Sequence, residues 1–221
     1  MNAKNAIFIG IAVVFVGLIV WVGGLQQKAP QKITPTVSPE ATKTVETKTT
    51  INTDTKKTMT TAILTTNKGA ITLEFYDDRA PKTVENFVKL AKEGFYNGTR
   101  FHRVIKGFMI QGGDPLSKDL SMKDRWGMGG PGYSFADEID PNSDLYKAGY
   151  QRGVLAMANS GPNTNGSQFF IMHQDYALPP SYTIFGRVTS GIDVVDAIAN
   201  TKTGINDRPL EDVIIEKIEV K

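Results

Sequence analysis

Phe101-His102-Arg103-Val104-Ile105-Lys106-Gly107-Phe108-Met109-Ile110-Gln111-Gly112-Gly113-Asp114 holds two β-like runs on either side of Lys106-Gly107. That pattern predicts a hairpin, with the second strand folding back along the first. Folding back places Arg103 beside that strand. One cation, the apolar pair Phe108 and Met109, and the neutral amide of Gln111 then gather within nine positions.

Short strands also surround this stretch. Ala62–Thr66, the turn Asn67-Lys68-Gly69, and Ala70–Tyr76 predict an opening hairpin whose second run alternates in period two. From Pro81, the apolar residues Val84, Phe87, Val88, Leu90 and Ala91 fall at helical spacing, and Gly94 closes that helix. Residues 115–150 are rich in Gly, Asp and Pro and predict mostly loop. Gly153–Ala158, Gln168–Met172 and Tyr182–Val188 predict three more strands. A second helix is expected around Ile192–Ala199, and a last alternating strand over Val213–Val220. About eight short strands with two helices argue a mainly β domain. The expected form is a closed or nearly closed antiparallel barrel with helices at its ends.

The amino-terminal quarter differs in kind. Ala6–Leu25 is twenty residues without a charge, enough helix to span about 30 Å of hydrocarbon. A cleaved signal peptide has a shorter apolar region and a small-x-small cleavage site, and Gly24–Pro30 offers no good one. An uncleaved anchor over residues 1–25 is therefore expected. Residues 26–60 mix Thr, Lys, Pro and Val without period and contain no aromatic residue, so they predict a disordered, flexible linker. The folded domain is expected over residues 61–221. Lys4 lies before the span and Lys28 and Lys32 lie after it, so charge counting does not orient it. A stalk after a span suits a single-pass protein of the cell membrane with its domain outside the cytoplasm.

Charge and composition narrow the function. Residues 1–60 carry a net +4 and the remainder a net −2. The folded part is therefore not basic, which argues against a nucleic-acid partner. With no cysteine in the chain, disulfides, thiolate zinc sites and Cys nucleophiles are excluded. His102 and His173 have no companions at ligand spacing, so neither a metal nor any other cofactor is expected. Gly127-Met128-Gly129-Gly130-Pro131-Gly132 matches a dinucleotide fingerprint only formally. No strand precedes it, and Pro131 interrupts it.

Ala158-Asn159-Ser160-Gly161-Pro162-Asn163-Thr164-Asn165-Gly166-Ser167-Gln168-Phe169-Phe170 would alone be a long hairpin loop. Taken with Phe101–Asp114 it carries a specific likeness. Phe101–Asp114 and Gly153–Ile171 closely resemble the signature segments of cyclophilin-type peptidyl-prolyl cis-trans isomerases, and the similarity runs from about Ala62 to Val220. The resemblance implies an eight-stranded barrel capped by two helices, with a shallow groove for X-Pro segments. It implies catalysis by Arg103 and a proline pocket walled by Phe108, Met109, Phe170 and Leu178. It also implies that Gln111, Asn159 and Gln168 hydrogen-bond substrate backbone and that Gly127, Ala158 and Ser160 line the groove. Two positions depart from the best-known eukaryotic members: Ala177 stands where they have tryptophan, and Tyr182 where they have a pocket histidine. That tryptophan hydrogen-bonds cyclosporin, so weak inhibition by the drug is expected. The segment from Asp114 to Tyr133 also departs from the family's short form.

The chemistry needs no covalent step. An amide's double-bond character opposes rotation by about 18–20 kcal/mol, and X-Pro bonds have nearly balanced end states. A guanidinium, always charged and with several donors in one plane, could donate to the proline nitrogen or hold the preceding carbonyl. The expected partners are proline-containing polypeptides, exported or envelope proteins above all, and the expected state is a monomer. The competing reading is a module that binds Pro segments with little turnover.

Overall fold

The computed structural model describes residues 59–221. The span expected over Ala6–Leu25 lies outside the described residues, as does the expected linker apart from Met59 and Thr60. Among the described residues no helix is long and apolar enough to cross a membrane.

Alternation makes the first two runs one-sided. They form the antiparallel pair β1 (Thr61–Thr66) and β2 (Gly69–Phe75), which buries Ala62, Leu64, Ile71, Leu73 and Phe75 completely. Pro81 starts α1 (Pro81–Lys92), whose buried stripe includes Val84, Phe87, Leu90 and Ala91. Ala80, before the helix, has no side-chain acceptor to cap it, and the cap comes from afar. Glu138 Oε1 accepts from the Lys82 amide at 3.1 Å, while Oε2 accepts from the Thr83 amide and hydroxyl, each at 2.8 Å. The carboxylate satisfies orphan donors and faces the positive end of the helix dipole.

The decisive stretch folds as β3 (Arg103–Ile105) and β4 (Met109–Gly112), with Arg103 paired to Gln111. Gly107 turns the chain at φ 82°, a left-handed conformation that glycine adopts without the Cβ penalty. Residues 115–150 contain more structure than expected: 3-10 turns over 115–118 and 120–125 and the short helix α2 (Asp144–Ala148). The turns form because Asp114 and Asp119 accept from the amides of Leu116 and Ser121, each at 2.8 Å.

β5 (Val154–Met157), β6 (Phe169–Met172), β7 (Ile184–Ser190), α3 (Ile192–Ala199) and β8 (Ile215–Val220) complete the domain. All eight strands join one antiparallel sheet in the order β3-β4-β6-β5-β7-β2-β1-β8. Its edge strands are β3 and β8, and the segments leading into them meet. The Phe101 amide donates to the Val213 carbonyl at 2.9 Å, and the Ile215 amide to the Thr99 carbonyl at 2.8 Å.

The curled sheet encloses the main core. Phe87 of α1 sits at its centre, with the rings of Phe75, Tyr96, Phe169 and Phe185 at centroid distances of 5.0–5.4 Å. β5 and β6 are buried on both faces. Leu155, Met157, Phe169 and Ile171 enter this core, while Val154, Ala156, Phe170 and Met172 join a second apolar cluster on the other face. Uninterrupted apolar runs are what such two-sided burial requires.

Glu138→Ala leaves the first amides of α1 without an acceptor. The expected loss is about 1–2 kcal/mol of stability with the fold retained, read from urea unfolding monitored by circular dichroism.

Candidate active site

Strand pairing builds the site in one row. Arg103 on β3 lies opposite Gln111 on β4, Gln111 opposite Phe170 on β6, and Phe170 opposite Ala156 on β5. Directly paired residues share a face of the sheet, so these four side chains project together, and Met109 and Met172 fall on the same face two residues along. At about 4.8 Å between strands, the backbones of Arg103 and Phe170 lie two strands, roughly 10 Å, apart.

Above this face lies a cavity of about 770 Å³. Arg103, Phe108, Met109, Gln111, Gly127, Ala158, Asn159, Phe170, Leu178 and Tyr182 line it. An adjoining cavity of about 240 Å³ is lined by Ser160 and Gln168 and shares Gln111, Gly127, Ala158 and Asn159 with the first. All twelve residues singled out from the sequence therefore border one continuous groove. Its floor is apolar: Met109 and Phe170 are almost fully buried, and Tyr182 meets Phe170 edge-on at 5.5 Å and 87°.

All three amides are already engaged, Gln111 through one N–H only. Gln168 accepts from Gln111 Nε2 at 3.0 Å and donates to the carbonyls of Gly127 and Gly129 at 2.9 and 2.8 Å. Its side chain ties the groove wall to β4, using the donors expected to meet substrate. Asn159 Nδ2 donates to the Ser181 carbonyl at 2.9 Å, and its Oδ1 accepts from the Gly161 amide. The Asn159 main-chain N–H and C=O have no hydrogen-bond partner among the described residues and are the groups it can offer a peptide.

Several groove residues escape the sequence reading. Tyr176 packs its half-exposed ring on Phe108 at 4.5 Å and lines the larger cavity. An aromatic thus stands one residue before Ala177, the position that corresponds to tryptophan in the better-known eukaryotic members, and Tyr176 itself is the signal in the sequence. Trp126 and Met128 form the outer wall, and Asn206, Asp207 and Arg208 close the end nearest Arg103. Trp126 is held by its indole N–H to the Asp119 carbonyl at 3.1 Å, with the cations of Arg100, Lys123 and Arg208 5.5–6.0 Å from its ring. The wall is pinned from below by Asp114, a fully buried carboxylate that accepts from the amides of Leu116 and Gly127.

Electrostatically the site sets two guanidiniums over a neutral floor, Arg103 beside Asp207 and Arg208 against the Trp126 ring. The Arg103 side chain is 42% exposed, and its Nε lies 3.4 Å from Asp207 Oδ2. Beside it His102 is buried, with neither ring nitrogen hydrogen-bonded within the protein. Burial pushes its pKa down from 6.5 to about 4, against an opposing pull from Asp114. The imidazole is therefore neutral at physiological pH and adds no further charge. Burial also pushes the Tyr150 hydroxyl up to about 12, keeping it protonated as it donates to the Tyr182 carbonyl at 2.8 Å. Among the described residues no cluster of His, Asp and Glu could hold a metal ion.

A groove with an apolar floor, main-chain hydrogen-bonding groups and the Arg103 guanidinium beside it defines a β protein built to bind polypeptide. Comparison with known proteins gives its family. The family model described as cyclophilin type peptidyl-prolyl cis-trans isomerase/CLD matches residues 61–220. The mouse protein named peptidyl-prolyl cis-trans isomerase-like 1 is 49% identical over 155 residues, covering 70% of this chain and 88% of its own. Peptidyl-prolyl cis-trans isomerase B of Streptomyces anulatus is 48% identical over 179 residues, covering 72% and 95%. A crystal structure of a Cryptosporidium parvum cyclophilin type peptidyl-prolyl cis-trans isomerase, 35% identical, superposes with a TM-score of 0.66 over 74% of this chain and 98% of that one. This chain belongs to the cyclophilin-type peptidyl-prolyl cis-trans isomerase family.

His102 makes stability depend on pH. Between pH 6.5 and about 4 the unfolded chain takes up a proton that the buried imidazole excludes. The stability associated with this group is therefore complete above 6.5 and declines as pH falls toward 4, by up to about 3 kcal/mol. Urea unfolding at pH 7 and pH 5 should show a larger loss for the wild type than for His102→Asn, which has no imidazole to titrate.

Proposed function

We infer that Arg103 and the apolar floor act together on one X-Pro peptide bond. The chain is a peptidyl-prolyl cis-trans isomerase, and the observation that carries this assignment of roles is the Arg103–Gln111–Phe170 row. Phe108, Met109, Phe170, Leu178 and Tyr182 take the proline ring, and burial of its methylenes supplies binding that does not depend on the bond's rotation. The main chain of Asn159 and the amide of Gln111 hold the flanking peptide, so one half of the substrate is fixed while the preceding carbonyl swings.

Rotation breaks conjugation and leaves a basic lone pair on the proline nitrogen. Planar cis and trans ground states lack that lone pair, so a donor aimed at it stabilises the transition state selectively. The Arg103 guanidinium, charged at any physiological pH, is such a donor. Holding the carbonyl oxygen is its other available contact. A stabilisation of about 7 kcal/mol corresponds to roughly five orders of magnitude in rate. No proton leaves the enzyme and no bond is made.

The whole chain then reads as a single-pass membrane protein: an anchor over residues 1–25, a linker over 26–60 and the isomerase domain over 61–221, folded as a closed eight-stranded barrel with helices at its ends. Supporting the anchor is the uncharged run Ala6–Leu25. The domain lies outside the cytoplasm, acts as a monomer and assists the folding of exported, proline-containing polypeptides. Fractionation combined with protease treatment of intact cells tests this placement. The domain should sediment with membranes and be degraded without lysis; degradation only after lysis would reverse the orientation.

Arg103→Ala should retain the wild-type circular dichroism spectrum while isomerisation of a Xaa-Pro peptide slows at least tenfold. Exchange spectroscopy on the same peptide separates enzyme from binding module. An enzyme speeds cis-trans exchange, whereas a binder only shifts the peaks.

A further inference from the structure

Arg103 presents its guanidinium from a three-residue strand at the edge of the sheet, with 42% of its side chain exposed. A long side chain so placed samples many rotamers unless something holds it. The Arg103 guanidinium donates no hydrogen bond to the described residues, and its charged contact is Asp207, whose Oδ2 lies 3.4 Å from Nε. Both Nη groups are likewise free of hydrogen bonds to the described residues, at the cavity wall that Arg103 and Asp207 share.

Asp207 is built into place. Asn206 and Asp207 are consecutive left-handed residues, at φ 60° and 57°. Such a pair is costly for residues with a side chain, least so for Asn and Asp. The loop around them is closed by hydrogen bonds from the Gly204 amide to the Arg208 carbonyl and from the Leu210 amide to the Lys202 carbonyl, each 2.8 Å. Arg208, the next residue, faces the Trp126 ring at 6.0 Å. An ion pair with both partners about half exposed adds little to stability, so the conformation of this loop is not explained by what the pair contributes to folding.

We propose that Asp207 is a positioning residue for the isomerase reaction: its carboxylate fixes Arg103 through Nε and aims the two Nη groups at the rotating X-Pro amide. The inference rests on the assignment of Arg103 above. Two effects of the carboxylate oppose each other. It offsets part of the guanidinium charge, and it removes the freedom of a four-torsion side chain. At a half-exposed site solvent already screens the charge, so orientation is the larger effect.

The test uses Asp207→Asn, which removes the charge yet suits the left-handed conformation, with Asp207→Gly as a second variant that tolerates it. Isomerisation of a Xaa-Pro peptide is followed by NMR line shapes at several peptide concentrations, so that kcat and KM separate. Both variants should keep the wild-type Tm and KM while kcat falls about three- to tenfold. Added to Arg103→Ala, Asp207→Asn should cause no further loss. An unchanged or raised kcat in both variants would overturn the proposal, as would a raised KM with kcat intact or an equal loss in the Arg103→Ala background. Full activity in Arg103→Ala alone would instead remove Arg103 itself, a result separable from any of these.

Discussion

β5 and β6 bury side chains on both of their faces, and the site depends on this. Leu155, Met157, Phe169 and Ile171 close the interior around Phe87, while Val154, Ala156, Phe170 and Met172 build the apolar ground beneath the groove. Neither face can shift alone, because a one-residue slip in register would exchange the two sets. The pocket floor is thus the reverse side of the core, and Phe170 is held as firmly as the residues facing inward. A rotating amide needs this: its proline ring must stay still while its other half turns.

Much of this arrangement is legible in the residues themselves. Alternation in Ala62–Phe75 and the break at Lys106-Gly107 define hairpins because a strand's two faces and a turn's dihedrals are local properties. The hairpin read from Phe101–Asp114 is enough to put Arg103 beside the second strand, but a turn of Lys106-Gly107 alone would set it opposite Ile110; its pairing with Gln111 comes from a turn that also takes in Phe108. That Phe170 falls in the same row requires the β4–β6 pairing, which no local pattern in the sequence reports. The short structure within 115–150 was missed for another reason. Its turns depend on individual side-chain caps at Asp114 and Asp119, and a stretch rich in Gly, Asp and Pro has the same composition with or without them.

The contacts hardest to foresee join distant charges and amides. Glu138 caps a helix more than fifty residues earlier in the chain. Gln168 bonds to both β4 and the Gly127–Gly129 wall, and Asp207 meets Arg103 from a loop just before the last strand. Each is set by tertiary proximity rather than by neighbours in sequence. A residue type at such a position suggests what it can bond to, but not which partner the fold will bring. Tyr176 makes the same point for packing, since an aromatic one residue out of step still reaches Phe108.

The groove wall between Asp114 and Gly127 is fastened at its two ends by one buried carboxylate and at Ser117 and Lys118 by Arg100, whose amide donates to the Ser117 hydroxyl and whose guanidinium donates to both carbonyls, while residues 119–126 rest on their own turns and on Trp126. The stretch beyond those fastenings is bound chiefly to itself, so its length is separable from the floor's geometry. Such a segment is an exchangeable cassette: its interior can lengthen, shorten or change charge over evolutionary time, reshaping what may lie alongside the substrate, while Arg103 and Phe170 keep their spacing. The floor of the groove and the wall that borders it are thereby built by different parts of the chain and are free to diversify separately.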